Sequence, residues 1–287
     1  MNTNNKVTPL ILLIDNGSIR ADATKQLRKL ALKLSVVAGR EIHPVSLRHA
    51  DKIPENLLGG EKAQVFHTFM DECLLQGWRQ FIVLPLFFAE GRAVTELIIN
   101  HLFSLQALYS DFTFQVADVV YPLPSGEPLL ADIIYDQILM TVQDSKMAKK
   151  NIVLVDHGSP QKCVTEVRKR LARSIQGKFA THLKLDQAVM ERRQGDEYLF
   201  NGELLEDWLT RKAEAGEKSA IVCLLFFLAG RHAGKGGDID KICRKVMNRH
   251  AKFKIAVCPL IAEHKDLVSI LLVRLQTAQQ QILLSKL

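Results

Sequence analysis

A chain of 287 residues, 47% hydrophobic and 24% charged, has room for two domains of ordinary size and the profile of a soluble protein with buried cores. No apolar run approaches the roughly 20 residues that a membrane span needs, so no membrane partner is expected, and the polar start Met1–Lys6 is read as a frayed tail on a cytoplasmic protein. The formal charge of +7 favours anionic ligands, but Lys and Arg are spread along helical stretches such as Val167–Arg173 and aromatics are only 7%, so nucleic acid is not expected as a partner.

In chain order, the first apolar run, Leu10–Ile14, ends in Asp15-Asn16-Gly17-Ser18, a turn signal. A helix with apolar residues Leu27, Leu30 and Leu34 is predicted over Ala21–Val37. A strand around Ile42–Leu47, a helix over Ala63–Gln76 and a buried strand Phe81–Phe87 follow, then a Gly-containing loop, a further helix, a last strand near Phe114–Val120 and a helix over Leu129–Val142. The polar, Lys-containing stretch Gln143–Lys150 reads as a boundary.

The same plan then starts again. Asn151–Ser159 (NIVLVDHGS) answers Leu10–Ser18 (LILLIDNGS), with Gly17 and Gly158 separated by 141 positions. Ala220–His232 answers Gln80–Arg92, with Phe87 and Phe226 separated by 139, and Ala256–Leu260 answers Val119–Leu123, with the prolines separated by 137. Ordered matches at nearly constant offset indicate one tandem duplication. The second copy has predicted strands over Ile152–Val155, Lys184–Met190, Ala220–Phe226 and Phe253–Cys258, and helices that include Cys163–Ile175, Leu204–Ala215 and Leu267–Leu283. Strands of nearly continuous apolar character alternating with helices predict an α/β fold, each copy a parallel sheet covered by helices on both faces. The expected domains are 1–145 and 146–287.

Open α/β sheets bind ligands outside the carboxyl ends of their strands. In the second copy those ends carry His157 and, in the loop Ala229-Gly230-Arg231-His232, a second imidazole; Glu191 follows the second strand. Two imidazoles converging from neighbouring strands can share one divalent ion such as Co, Ni, Fe or Zn, with Glu191 as a further ligand or a base. A histidine in an Asp-His-Gly-Ser turn is often only a hydrogen-bonding turn residue. The joint placement of the two at equivalent strand ends favours a site. The first copy has Asn16 and Ala93 at the matching positions, and Arg48 and His49 where the second has Met190 and Glu191. Asp15 and Asp156, shared by both copies, are expected to serve the turn. Gly234, Gly236 and Gly237 around Lys235 fit no nucleotide-binding fingerprint. Five scattered cysteines without a CxxC pair argue against a disulfide framework and a thiolate metal site, and Cys223 and Cys258, inside apolar runs, read as buried core thiols. His43, His67 and His101 read as ordinary helix or surface residues. His182 and His250 lack context, and His264 lies in a strand-end loop.

Asp156-His157-Gly158-Ser159, Leu225–His232 running into Gly237-Asp238-Ile239, Ala188–Glu191, and Pro259-Leu260 followed by His264 together resemble the sirohydrochlorin chelatase family of the CbiX type and its iron-inserting relatives. The resemblance covers most of the second copy, and the first shares the framework alone. It implies ATP-independent insertion of a divalent metal, Co2+ or Fe2+ with Ni2+ also compatible, into sirohydrochlorin or a related polycarboxylated tetrapyrrole, at a cleft between two α/β lobes. The metal is then a substrate, with no prosthetic group, and the product feeds cobalamin, siroheme or another pathway. By position, His157 and His232 become the metal-holding and proton-accepting pair with Glu191 assisting; Arg231, Lys235, Arg92 and His264 are candidate substrate contacts. Two-copy members of the family are expected to carry the histidines in the first copy, and this chain departs from that. The second functional reading is therefore a non-catalytic metal or tetrapyrrole carrier, and the third a structural or regulatory descendant that binds nothing. A monomer suffices for the expected site; a homodimer is also compatible.

Overall fold

The apolar runs become the centres of two sheets. The structure, a computed structural model, describes residues 8–147, 150–179 and 183–284, with side chains to residue 281; Met1–Lys6 and His182 lie outside the described residues. In the first repeat, β1 (Leu10–Asp15) and β3 (Gln80–Pro85) are buried along five consecutive residues each, whereas the outer strands β2 (Ile42–Ser46) and β4 (Thr113–Val116) are only partly covered. The order is β2-β1-β3-β4, all parallel. The second repeat copies it as β6-β5-β7-β8, formed by β5 (Ile152–Asp156), β6 (Leu185–Val189), β7 (Ser219–Leu224) and β8 (Lys254–Val257). Burial on both faces explains why the central strands lack alternation.

The helices follow the predicted spacing. Helix α1 (Ala21–Ala38) buries Thr24, Leu27, Leu30, Ala31 and Leu34, and α5 (Lys162–Gln176) buries Thr165, Arg168, Leu171, Ala172 and Ile175 at an offset of 141. Helices α2 (Phe66–Leu75) and α6 (Leu205–Glu214) precede the third strands. After those strands the copies diverge. The first passes through a π-helical turn, Ala93–Ile98, into α3 (Ile99–Leu108), while the second stays non-helical until α7 (Asp238–Arg249). The last helices are α4 (Pro128–Ser145) and α8 (Leu267–Leu284). Among the described residues no helix is long and apolar enough to cross a membrane.

Each sheet has its own apolar core, one around Leu12, Phe66, Val83 and Phe112, the other around Val155, Trp208, Val222 and Ile239. The compact units differ from the 1–145 and 146–287 division of the sequence repeat. One unit runs to Pro122 and resumes at Val268; the other is Leu123–Leu267. Each sheet therefore takes as its closing helix the one written in the other repeat. Helix α4 packs within the second unit, where Gln137 Nε2 donates to the Leu260 carbonyl at 2.9 Å. Helix α8 packs within the first, where Arg274 donates to the carbonyls of Val119 and Val120 at 3.1 and 3.3 Å.

In both sheets the chain moves from the central strand to one side and returns on the other. This reversal opens a crevice at the carboxyl ends of the two central strands. In the second sheet those strands are β5 and β7.

Candidate metal centre

His157 leaves β5 in a turn that only glycine can complete. Gly158 has φ +89°, and a Cβ there would lie 1.9 Å from the Glu191 carbonyl oxygen. The close approach is fastened by backbone bonds from Met190 N to the Asp156 carbonyl at 2.8 Å and from Glu191 N to the His157 carbonyl at 3.1 Å. Glu191 is thereby set beside the imidazole, its Oε1 lying 3.3 Å from His157 Nε2.

A buried polar network supports this turn from below. Asp156 Oδ1 accepts from Gly158 N at 3.1 Å and from Arg168 Nη1 at 2.7 Å, and the Asp156 and Arg168 side chains are only 7% and 2% exposed. Arg168 also donates to the carbonyls of Ala188 and Asn201. Buried Asn201 accepts from Ser159 N at 3.0 Å and from Thr165 Oγ1, and donates to the Ser159 carbonyl at 2.9 Å. Arg168, which the sequence does not single out among the charges of Val167–Arg173, is the buried cation that balances Asp156 beneath the turn. Asp156 thus has the structural role expected of it.

His232 comes from the loop after β7. Asp238, the first residue of α7, places Oδ2 at 2.8 Å from His232 Nδ1, and Ile239 N donates to the His232 carbonyl at 3.1 Å. The glycine-rich stretch before α7 bends the chain far enough for that contact. The two imidazoles meet edge to face, with centroids 4.5 Å apart and planes at 79°.

The tautomers follow from the partners. The Gly158 carbonyl, 2.9 Å from His157 Nδ1, can only accept, so Nδ1 donates and Nε2 is the nitrogen left toward Glu191 and the crevice. In His232 the Asp238 carboxylate fixes Nδ1 as donor in the same way. Both rings therefore offer Nε2 to a cation. Burial, together with the nearby His157, pushes the His232 pKa below its ordinary 6.5, although Asp238 and Glu191 pull upward. A neutral imidazole near neutral pH can bind a metal or accept a proton. Burial raises the Asp238 carboxyl, but the His232 and Lys241 contacts outweigh it and hold the group below the usual range.

Among the described residues no group of three or more His, Cys, Asp or Glu side chains is already arranged to hold a metal. The carboxylate of Glu191 is turned onto His157 Nε2, the atom a metal would take. An ion entering there has to move Glu191, which is 62% exposed.

The remaining candidates are distributed unevenly. Arg231 is 76% exposed, with Nε 3.8 Å from Asp238 Oδ2, at the edge of the pair; Lys235 is exposed in the same loop. Arg92, its first-repeat counterpart, is bound to Glu96 at 2.8 Å in the other unit. His264 is 11% exposed; its Nδ1 accepts from Asp266 N at 3.2 Å and its Nε2 lies 3.9 Å from Asp136, so its contacts are with α4 and its own loop. In the first repeat Gly17, with φ +81°, would bring a Cβ to 1.9 Å from the Arg48 carbonyl, as Gly158 would to Glu191. Arg48 is therefore the counterpart of Glu191, one position earlier than the sequence comparison places it, and His49 is not. Arg48 reaches Asn16 Oδ1 at 3.4 Å, so the first repeat replaces His, His and Glu by Asn, Ala and Arg.

Residues 151–278 match the CbiX family model. The match spans nearly the whole of the second repeat. SirB from Bacillus subtilis with Fe3+ matches at a TM-score of 0.64 and 13% identity, over 94% of this chain and 95% of that one. SirB from Bacillus subtilis subspecies spizizenii in complex with cobalt matches at 0.65 and 12%, over 95% and 96%. CbiX, described as the terminal enzyme for biosynthesis of siroheme in denitrifying bacteria, matches at 0.57 and 14%, over 94% and 99%. At this identity the likeness shows a shared fold, across both repeats. No curated protein sequence matches the chain.

Proposed function

We propose that the protein inserts a divalent metal into sirohydrochlorin or a related polycarboxylated tetrapyrrole, using the second repeat. The observation that carries this reading is the edge-to-face pair of His157 and His232 at the strand crevice, with Nε2 of each left for a cation and Glu191 3.3 Å from one of them. Metallation must deliver a partly dehydrated cation to the ring and remove two pyrrole N–H protons. Imidazole holds such an ion without the grip of a thiolate cage. Once the ion leaves, His157 and His232 are free to accept protons, and exposed Glu191 can pass them to water. The CbiX match over the second repeat supports this activity, and the iron and cobalt in the SirB structures suit the same donors. Exposure of Arg231 and Lys235 in the loop that carries His232 supports a role for them in meeting substrate carboxylates.

The test is spectrophotometric. Protein with Co2+ or Fe2+ is expected to convert sirohydrochlorin to its metallated form faster than buffer, with turnover beyond one equivalent. Stoichiometric binding without turnover would instead support a carrier, the reading favoured by the missing ligands of the first repeat.

A further inference from the structure

Helices α2 and α3 of the first repeat cover the same apolar core, and a pair of imidazoles spans the seam between them. His67, in the first turn of α2, and His101, in the first turn of α3, have ring centroids 3.9 Å apart with planes at 60°. Buried Phe66 packs edge-on against both rings, at 5.9 and 5.3 Å, and backs the pair from the core side. Asp71 follows His67 by one turn on the same face of α2, and both are exposed.

The equivalent seam of the second repeat is closed by opposite charges. Val65 and Leu204 hold the same place in the two repeats, each bridging the end of the second strand, at Ser46 and Val189. His67 therefore corresponds to Glu206, which pairs with Lys245 and Arg249 of α7. In the first repeat two imidazoles face each other instead, with a carboxylate beside them. The cation that the second repeat supplies from its own chain has no counterpart between these two rings.

His101 shows the consequence. Its Nε2 is shielded from solvent and has no hydrogen-bond partner, an arrangement that destabilises a buried polar atom. Burial, with His67 beside it, pushes the His101 pKa below its ordinary 6.5 against the upward pull of Asp71, so protonation does not relieve the ring at neutral pH. A neutral imidazole is also the form that ligates a metal.

We propose that His67 and His101 bind a first-row divalent transition metal, Ni2+ or its neighbours Cu2+ and Zn2+, with Asp71 as a third donor and water completing the shell. Imidazole nitrogen suits these ions, and a carboxylate oxygen can join it. Two nitrogens on one such ion stand about 3.4 Å apart at bond lengths of about 2.1 Å, a span comparable to the separation of the rings. Among the described residues no three donors are already converged. Exposed His67 and Asp71 turn to meet the ion at His101 Nε2, and the ion then ties α2 to α3. The site lies within the first repeat and stands independently of the crevice pair His157 and His232.

The experiment is calorimetry with Ni2+ on the full chain in which His157→Ala and His232→Ala remove the crevice donors. One saturable Ni2+ site is expected, with Cu2+ tighter and Mn2+ weaker, the order such donors follow. His67→Gln, at an exposed position that leaves the core intact, and His101→Leu are each expected to weaken Ni2+ binding about tenfold or more, the least that loss of even an outer-shell partner costs. Crystals of the unaltered chain with Ni2+ are expected to show an anomalous peak about 2.1 Å from His101 Nε2. Absence of saturable binding, an affinity unchanged in His67→Gln, or nickel peaks confined to other residues would overturn the proposal.

Discussion

His232 Nδ1 lies 2.8 Å from Asp238 Oδ2, so the first carboxylate of α7 holds the imidazole with its other nitrogen directed away. A carboxylate behind a ligating imidazole fixes ring orientation and raises its basicity, and removing one typically weakens metal binding by about 10- to 100-fold. Asp238→Asn is accordingly expected to lower Co2+ affinity by about 10-fold or more, measured by calorimetry. Unchanged affinity would mean that His232 does not bind the ion.

The same contact has a pH signature. The His232 pKa is below 6.5 because burial and His157 lower it more than Asp238 and Glu191 raise it. NMR titration of the ring is expected to give a midpoint below 6.5, and Asp238→Asn is expected to move it lower still, because a group favouring the charged form has been removed. An upward shift in that variant would contradict the assignment.

Replacing either imidazole removes a metal donor and a proton acceptor together. His157→Ala and His232→Ala are each expected to cut the metallation rate by about 100-fold or more, on the scale of general acid–base contributions. Glu191→Gln, which keeps shape but loses charge, is expected to have a smaller effect. The readout is initial rate at saturating metal, with circular dichroism to verify folding.

Arg168→Leu installs the side chain that the first repeat uses at this position. It leaves the Asp156 charge buried without its cation, at a cost of about 3–5 kcal/mol. Urea denaturation of this variant is expected to show that loss. Adding Val189→Ser, which provides the hydroxyl that Ser46 gives Asp15, is expected to recover part of it. Failure of the single variant to destabilise would remove the structural role assigned to the ion pair.

Asp15 gives the opposite sign of pH dependence from a salt-bridged carboxylate. Its folded pKa, about 6, exceeds the ordinary 3.8, so the folded state holds the proton more tightly. Stability is therefore lost as pH rises from about 4 to about 6 and stays lost above it. Relative to the unaltered chain, Asp15→Asn is expected to be stabilised by up to about 3 kcal/mol above pH 6 and to converge with it near pH 4. A constant difference across that range would contradict the burial account.

Much of this was legible in the residues. Continuous burial of β1, β3, β5 and β7 leaves an unbroken apolar run in sequence, and the offset between repeats sets His157 and His232 at equivalent strand ends. Arg168 was hidden because it occupies the α5 stripe where Leu27 occupies that of α1, within a run of charges that resembles a solvated face. The equivalence of Arg48 and Glu191 was missed by one position, because strand ends carry no periodic signal. The backbone contact at Gly17 and Gly158 fixes it instead. Helices α4 and α8 are both 18 residues long and both largely apolar, and nothing local states which sheet each will cover.

The most direct test of the metal centre is a crystal of the full chain loaded with Co2+, with anomalous scattering recorded at the cobalt edge. The account predicts one peak about 2.0–2.2 Å from Nε2 of both His157 and His232, with Glu191 turned toward it. A fully occupied cobalt bound elsewhere, with both imidazoles still in contact only with each other and their oxygen partners, would contradict it.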